Sequence, residues 1–144
     1  MADLPAFIPV LTVMVDYGFA DFLWLKDSPY EEGYVNQPFA DGLSRDEDCP
    51  FSEELWKKFA PWAIEFDNTK GVEHAFDSGC WDWAAYHDRG LQLARELKEE
   101  VGDTYRVVYT KPVEDPNFKQ DEDREILADG TVVPFHRDDV NLSN

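Results

Sequence analysis

The sequence predicts one α+β domain: an antiparallel or mixed sheet with two main helices packed on one face. Three observations predict it. Short runs rich in β-branched and aromatic residues lie towards both ends, and two amphipathic helical stretches fill the middle. The resulting order, β-β-α-α-β-β-β, segregates strands from helices rather than alternating them, which is the pattern of α+β domains. A chain of 144 residues with 43% hydrophobic content has the length and the apolar material for one core. Residues 1–144 contain no internal repeat and no Gly/Ser-rich linker, so a single domain is expected throughout.

The first element is Val10–Tyr17, with Leu11, Val13 and Val15 on one face and Val10, Thr12 and Met14 on the other. Apolar residues on both faces predict a central strand covered on both sides. Gly18 breaks it, and Asp21–Lys26 reads as a second short strand. Residues 27–50 hold Pro, Gly, Asn and the acidic triplet Asp46-Glu47-Asp48 and read as a long connection, a feature that is often functional in compact domains. The first helix starts cleanly. Ser52 suits the N-cap, Glu53 and Glu54 sit where the macrodipole favours anions, and Phe51 is placed to staple against Trp56. Leu55, Phe59, Trp62 and Phe66 follow at helical spacing. Pro61 interrupts them, and its missing N–H and its ring predict a kink or two short helices.

The second helix is expected to be capped by Asp77 or Ser78. Trp83, His87, Leu91, Ala94, Leu97 and Val101 form its apolar stripe, Arg95 and Glu99 are i,i+4 neighbours, and Gly102 closes it. Tyr105–Thr110 is a strand by its β-forming composition. Asp129-Gly130, between Glu125–Ala128 and Thr131–Phe135, predicts a type I′ hairpin. Pro134 cannot donate to a ladder, which places that last strand at an edge. Residues 137–144 are expected to fray.

Charge narrows the function. Thirty-one acidic residues against 13 basic ones leave −18 on the chain, and the acids are interleaved with 21 aromatics (ten Phe, six Tyr, five Trp). Acidic disordered chains are poor in aromatics, so this composition describes a folded protein with a negative surface. Its field attracts cationic partners and repels nucleic acid. No run approaches the ~20 apolar residues that a bilayer span needs. Leu4–Val15 is broken by Pro5 and Pro9 and lacks a basic flank, so neither a signal peptide nor a membrane association is expected, and the reading is cytoplasmic. Cys49 and Cys80 read as reduced thiols in that compartment.

No catalytic or metal-binding pattern is present. His74, His87 and His136 show no metal-ligand spacing, and no nucleophile or phosphate-binding motif occurs. Asp121-x-Asp123 resembles the start of a calcium loop, but Ile126 and Val132 stand where that loop requires glycine and glutamate. His87 lies on the apolar stripe and reads as a satisfied core histidine. No enzyme activity, cofactor or metal is expected. A partner surface is expected instead. Its candidates are the acidic residues Asp46, Glu47, Asp48, Glu114, Asp115, Asp121, Glu122 and Asp123, with Trp81 of the Trp81-Asp82-Trp83 triplet. Tyr30, Tyr34 and Phe39, aromatics in the long connection, join them because aromatic side chains bury much area with few rotors.

Residues 12–18 (T-V-M-V-D-Y-G), the helix start S-E-E-L-W-K-K-F-A-P-W, and R-G-L-Q-L-A-R-E-L-K-E-E-V-G followed by Y-R-V-V-Y resemble small bacterial immunity proteins of polymorphic toxin and contact-dependent growth inhibition systems. The similarity spans roughly residues 10–112. It implies a protein that binds and neutralises a cognate toxin domain, and the acidic surface points to a basic nuclease as that toxin. Two other readings fit the charge: a nucleic-acid mimic that blocks a DNA-binding effector, and a small metal-dependent hydrolase using carboxylates with His87 or His136. The first predicts one extended acidic face, against which Lys57, Lys58, Arg89, Arg95 and Lys98 stand. The second predicts a concave pocket of convergent carboxylates. Oligomeric state is left open.

Overall fold

The computed structural model describes residues 8–26, 37–45, 49–70, 81–112 and 123–135. Among the described residues six strands form one mixed sheet: β1 (Val10–Val13), β2 (Asp21–Lys26), β3 (Gln37–Asp41), β4 (Arg106–Tyr109), β5 (Asp123–Ile126) and β6 (Val132–Phe135). Their spatial order is β3-β2-β1-β4-β5-β6. Only the central β1–β4 pair is parallel, with Leu11 opposite Val107 and Val13 opposite Tyr109. The other pairs are antiparallel. A parallel neighbour requires a crossover, and helices α1 (Glu53–Asp67) and α2 (Trp83–Val101) lie in the chain between β3 and β4.

All four residues of β1 are buried, as the two-sided apolar pattern predicts. Leu11 and Val13 face the helices within the main core, whereas Val10 joins Val108 and Phe135 in a smaller cluster. On the Val10 side Arg106 makes a bidentate ion pair with Glu125, at 2.8 and 2.9 Å, and covers the Phe135 ring. β6 occupies an edge, where Pro134 costs no ladder bond.

The structure departs from the sequence-based expectations at several points, among them the first strand, which ends at Val13 rather than Tyr17. A strand, β3, lies inside the stretch 27–50 read as a connection. Pro38 hides it from a propensity reading, yet an edge strand tolerates proline. Helix α1 runs unbroken through Pro61, because Phe59, Trp62, Ala63 and Phe66 on either side are buried and hold both halves in one axis. Ser52 caps α1 as expected, and Phe51 packs its ring on Phe22 and Phe59. Helix α2 is capped by Asp82, whose carboxylate accepts from the Ala85 N–H at 3.1 Å, rather than by Asp77 or Ser78.

The buried face of α2 centres on Tyr86, Gly90, Leu93, Ala94 and Leu97, which leaves Trp83 and Leu91 at its margin. Arg95 reaches the Gly130 carbonyl across the sheet at 3.1 Å. The β5–β6 loop is not type I′, which needs positive φ at both central residues. Among the described residues only Gly130 of this loop has positive φ, at 86°. The Gly130 N–H donates to the Leu127 carbonyl and the Leu127 N–H to that of Thr131, the pattern of a type I turn closed by a left-handed glycine.

Helix α2 ends at Gly102, with φ 58°. The nearly buried Lys98 ammonium donates to the carbonyls of Gly102 and Tyr105, both at 2.8 Å, which places a cation on the negative end of the helix. The two helices interlock. Trp62 and Tyr86 stack with centroids 4.8 Å apart. The Trp62 indole N–H donates to the Tyr86 carbonyl at 3.1 Å, and the Tyr86 hydroxyl to the Trp62 carbonyl at 2.6 Å. Burial pushes the Tyr86 hydroxyl pKa far above its ordinary value, so it stays protonated as a donor.

Gly90 sits beneath that pair. A Cβ there would lie 2.5 Å from both the Trp62 ring and the Tyr109 ring. Alanine normally improves a helix interior by about 1 kcal/mol over glycine. Here the aromatic rings cannot yield cheaply, and overpacking of this kind costs about 1–3 kcal/mol. Gly90→Ala is therefore expected to lower the urea midpoint and Tm. A midpoint raised by the substitution would show that the interlock is loose.

Candidate interaction surface

Of the residues expected to meet a partner, Phe39, Trp81 and Asp123 lie within the described structure. Tyr30, Tyr34, Asp46, Glu47, Asp48, Glu114, Asp115, Asp121 and Glu122 lie outside the described residues. Trp81 is half-buried just before α2, with its ring centroid 4.9 Å from Tyr86, 5.4 Å from Trp83 and 6.5 Å from Phe66. It closes an aromatic corner between the two helices. Asp123 is 5% exposed, and its carboxylate accepts from the Thr110 hydroxyl. Phe39 of β3 packs half-buried against the main core. His87 is buried as read: its Nδ1 hydrogen-bonds the Tyr109 hydroxyl at 2.7 Å and its ring stacks on Trp83. Cys49 is half-buried against the main core.

Charge is distributed unevenly over the layers. The two helices hold eight acidic and five basic residues, so they account for only −3 of the −18. Their cations are engaged: Lys58 with Glu96 at 2.6 Å and Arg89 with Glu65 at 2.9 Å bridge α1 to α2. The hydrogen bond and charge of Glu96 hold the Lys58 ammonium pKa above its usual value, and those of Glu65 do the same for Arg89. The helices therefore carry little of the surplus, and the described strands, with four acidic and three basic residues, carry only −1, so most of the negative charge belongs to the sequence outside the described helices and strands.

One concentration of charge is fully described. Four half-buried aspartates, Asp16, Asp21, Asp41 and Asp67, gather where the β1–β2 turn, the end of β3 and the end of α1 meet. The turn is fastened at several points. The Asp16 N–H donates to the Asp21 carbonyl at 3.0 Å, and the Gly18 N–H to the Asp67 carboxylate at 2.9 Å. Tyr17 stacks on Phe66 at 4.6 Å. Its hydroxyl lies 2.6 Å from that of Thr69, which itself donates to the Phe66 carbonyl, so Tyr17 must be the donor between them. Gly18 adopts φ 124° and Ala20 φ 56°, which fixes a tight reversal.

β3 joins the turn through Asp41, paired with Asp21, and through the Gly42 N–H, which donates to the Ala20 carbonyl at 2.9 Å. A Cβ on Gly42 would press on Ala20, Ile64 and the Ala60 carbonyl at 3.2–3.3 Å, so this backbone lies directly on α1. The Asp41 carboxylate accepts from the N–H groups of Leu43 and Ser44.

Two large apolar side chains flank this hydrogen-bonded backbone and face solvent: Phe19, 66% exposed, and Leu43, 58% exposed. Neither carries a signal of its own in the sequence. The available clue is the run D-Y-G-F-A-D, an aromatic residue placed in a glycine turn between aspartates.

Burial, followed by the charges of Asp41, Asp16 and Asp67, raises the Asp21 carboxyl pKa above its ordinary 3.8. The folded state therefore holds this proton more tightly than the unfolded chain. The stabilisation from protonating Asp21 is full below pH 3.8 and is lost as pH rises through the raised folded value. Asp21→Asn is expected to be more stable than wild type at pH 7, with the gap closing as pH falls through that window. Parallel stability–pH curves for the two proteins would refute the assignment.

Residues 9–112 match the family described as Serratia CdiI immunity protein-like. The match covers β1 to β4, and so both helices and the aspartate-lined turn. No curated protein and no solved structure matches the chain.

Proposed function

This chain belongs to the Serratia CdiI immunity protein-like family, and we propose that it neutralises a cognate toxin domain, a basic nuclease, by stoichiometric binding in the cytoplasm. The observation that carries the nuclease reading is the placement of charge. A surplus of −18 is kept on a folded chain whose described helices and strands together carry only −4, so the field comes from the residues between and beyond them. A nuclease needs a cationic cleft to hold phosphates. An acidic inhibitor is steered to such a cleft and associates faster than an uncharged one. The acidic residues Asp46, Glu47, Asp48, Glu114, Asp115, Asp121 and Glu122 add to the same field, with Trp81, Tyr30 and Tyr34 as the proposed aromatic contacts.

Inhibition of this kind needs no chemistry from the inhibitor. Among the described residues no group of His, Cys, Asp and Glu has the arrangement to hold a metal ion, and the buried His87–Tyr109 pair is closed over by Trp83. No helix among the described residues is long and apolar enough to cross a membrane.

The test is stopped-flow association with the purified cognate toxin domain, at ionic strengths from about 0.02 to 0.5 M, combined with a nuclease assay of the mixture. The association rate is expected to fall by about tenfold or more across that range as the Debye length shrinks. Nuclease activity is expected to disappear at a 1:1 ratio. A toxin domain without nuclease activity, or an association rate indifferent to salt, would overturn the nuclease reading.

A further inference from the structure

We infer that the β1–β2 turn is a docking surface for the toxin domain, with Phe19 and Leu43 inserting into an apolar recess whose rim carries lysine or arginine. This rests on the toxin-binding reading above and adds which surface meets the toxin and what its counterpart looks like.

The argument begins with the exposed side chains. A phenylalanine 66% exposed at a turn and a leucine 58% exposed beside it put apolar area into water. Both leave a backbone that is otherwise tied down. Tyr17 is stacked on Phe66 and bonded to Thr69, Gly18 is bonded to Asp67, Asp16 to Asp21, and Gly42 to Ala20. The Leu43 and Ser44 N–H groups are held by the Asp41 carboxylate. An aromatic anchor on a fixed backbone loses little further entropy when a partner closes on it. Interfaces concentrate their energy in such anchors, ringed by contacts that exclude water.

The surroundings select the occupant. Asp16, Asp21, Asp41 and Asp67 gather around the turn, so a partner must bring cations to the rim of whatever recess receives Phe19 and Leu43. A second copy of this chain would bring four more aspartates to the same place, and the like-charge repulsion disfavours it. A toxin domain with a basic surface meets both requirements at once, with apolar area at the centre and opposite charge at the edge.

The two components are separable in kinetics. Rim charges act mainly on association, and a buried anchor acts mainly on dissociation. The experiment uses the 144-residue chain and its cognate toxin domain, with the double variant Phe19→Ser/Leu43→Ser and the charge variant Asp16→Asn/Asp21→Asn. The apolar variant is expected to weaken binding by about 30-fold or more, through dissociation, at a nearly unchanged association rate. The charge variant is expected to slow association by about threefold or more and to flatten its salt dependence.

Amide exchange supplies a readout that does not rely on the variants folding. Amides at residues 17–20 and 42–45 are expected to slow in the complex with wild-type protein. If wild type binds the toxin but the apolar variant weakens it by less than about fivefold, or exchange at those amides is unchanged, the docking surface is wrong and toxin neutralisation stands. If wild type does not bind the toxin domain at all, the functional reading itself falls, and this inference falls with it.

Discussion

The structure depends on how closely α2 can approach its neighbours, and Gly90 sets that distance. With hydrogen in place of a methyl, the helix backbone settles against the Trp62 ring of α1 and the Tyr109 ring of β4. That approach allows Trp62 and Tyr86 to stack and exchange hydrogen bonds with each other's carbonyls. It also brings His87 within 2.7 Å of the Tyr109 hydroxyl. One small residue thereby couples both helices and a central strand. The cost is the weaker helix propensity of glycine, about 1 kcal/mol against alanine, offset by apolar area that no bulkier residue would let the three rings bury.

The same contact divides the molecule electrostatically. Holding α1 and α2 side by side puts Lys58 opposite Glu96 and Arg89 opposite Glu65, so the helices neutralise each other across their seam. These pairs are solvent-exposed and add little stability. Their larger consequence is spatial, because cations used there are not available to balance carboxylates elsewhere. At the β1–β2 turn four aspartates face one another, and Asp67 stands in the last turn of α1, where the macrodipole disfavours an anion. Repulsion of this kind destabilises the free protein, and it persists in natural sequences where activity gains from it.

Much of this was readable from residues, and the failures share a cause. The β1 strand, the Ser52 cap, the close of α2 at Gly102 and the edge position of Pro134 all follow from chemistry local to a few positions. The α+β class followed from element order. What local chemistry could not supply was partner-dependent. β3 exists because β2 offers it an edge, despite Pro38. Helix α1 continues through Pro61 because core contacts on both sides outweigh one lost hydrogen bond. The apolar stripe of α2 is rotated from its predicted centre because Gly90, apolar by absence, marks the true middle of the packed face. At the surface, acidic runs drew notice as runs, whereas Asp16, Asp21, Asp41 and Asp67 are scattered in sequence and converge only on folding.

That convergence bears on how recognition works. Charges spread along a connection attract a basic partner from a distance but fix no orientation, because the field of many scattered carboxylates varies little over a few ångströms. Specific inhibition also needs a feature that fits one toxin and not another. Shape and desolvation provide this at short range, through rigid apolar groups whose burial requires a matching recess. Phe19 and Leu43 stand on backbone fastened by hydrogen bonds and stacking to α1, inside a ring of aspartates. The proposed docking surface thus joins long-range attraction and short-range fit at a single turn. Under the proposed nuclease reading, a toxin that drifts in surface sequence while keeping its phosphate-binding charge would still be attracted to this protein. It would escape only by reshaping the recess.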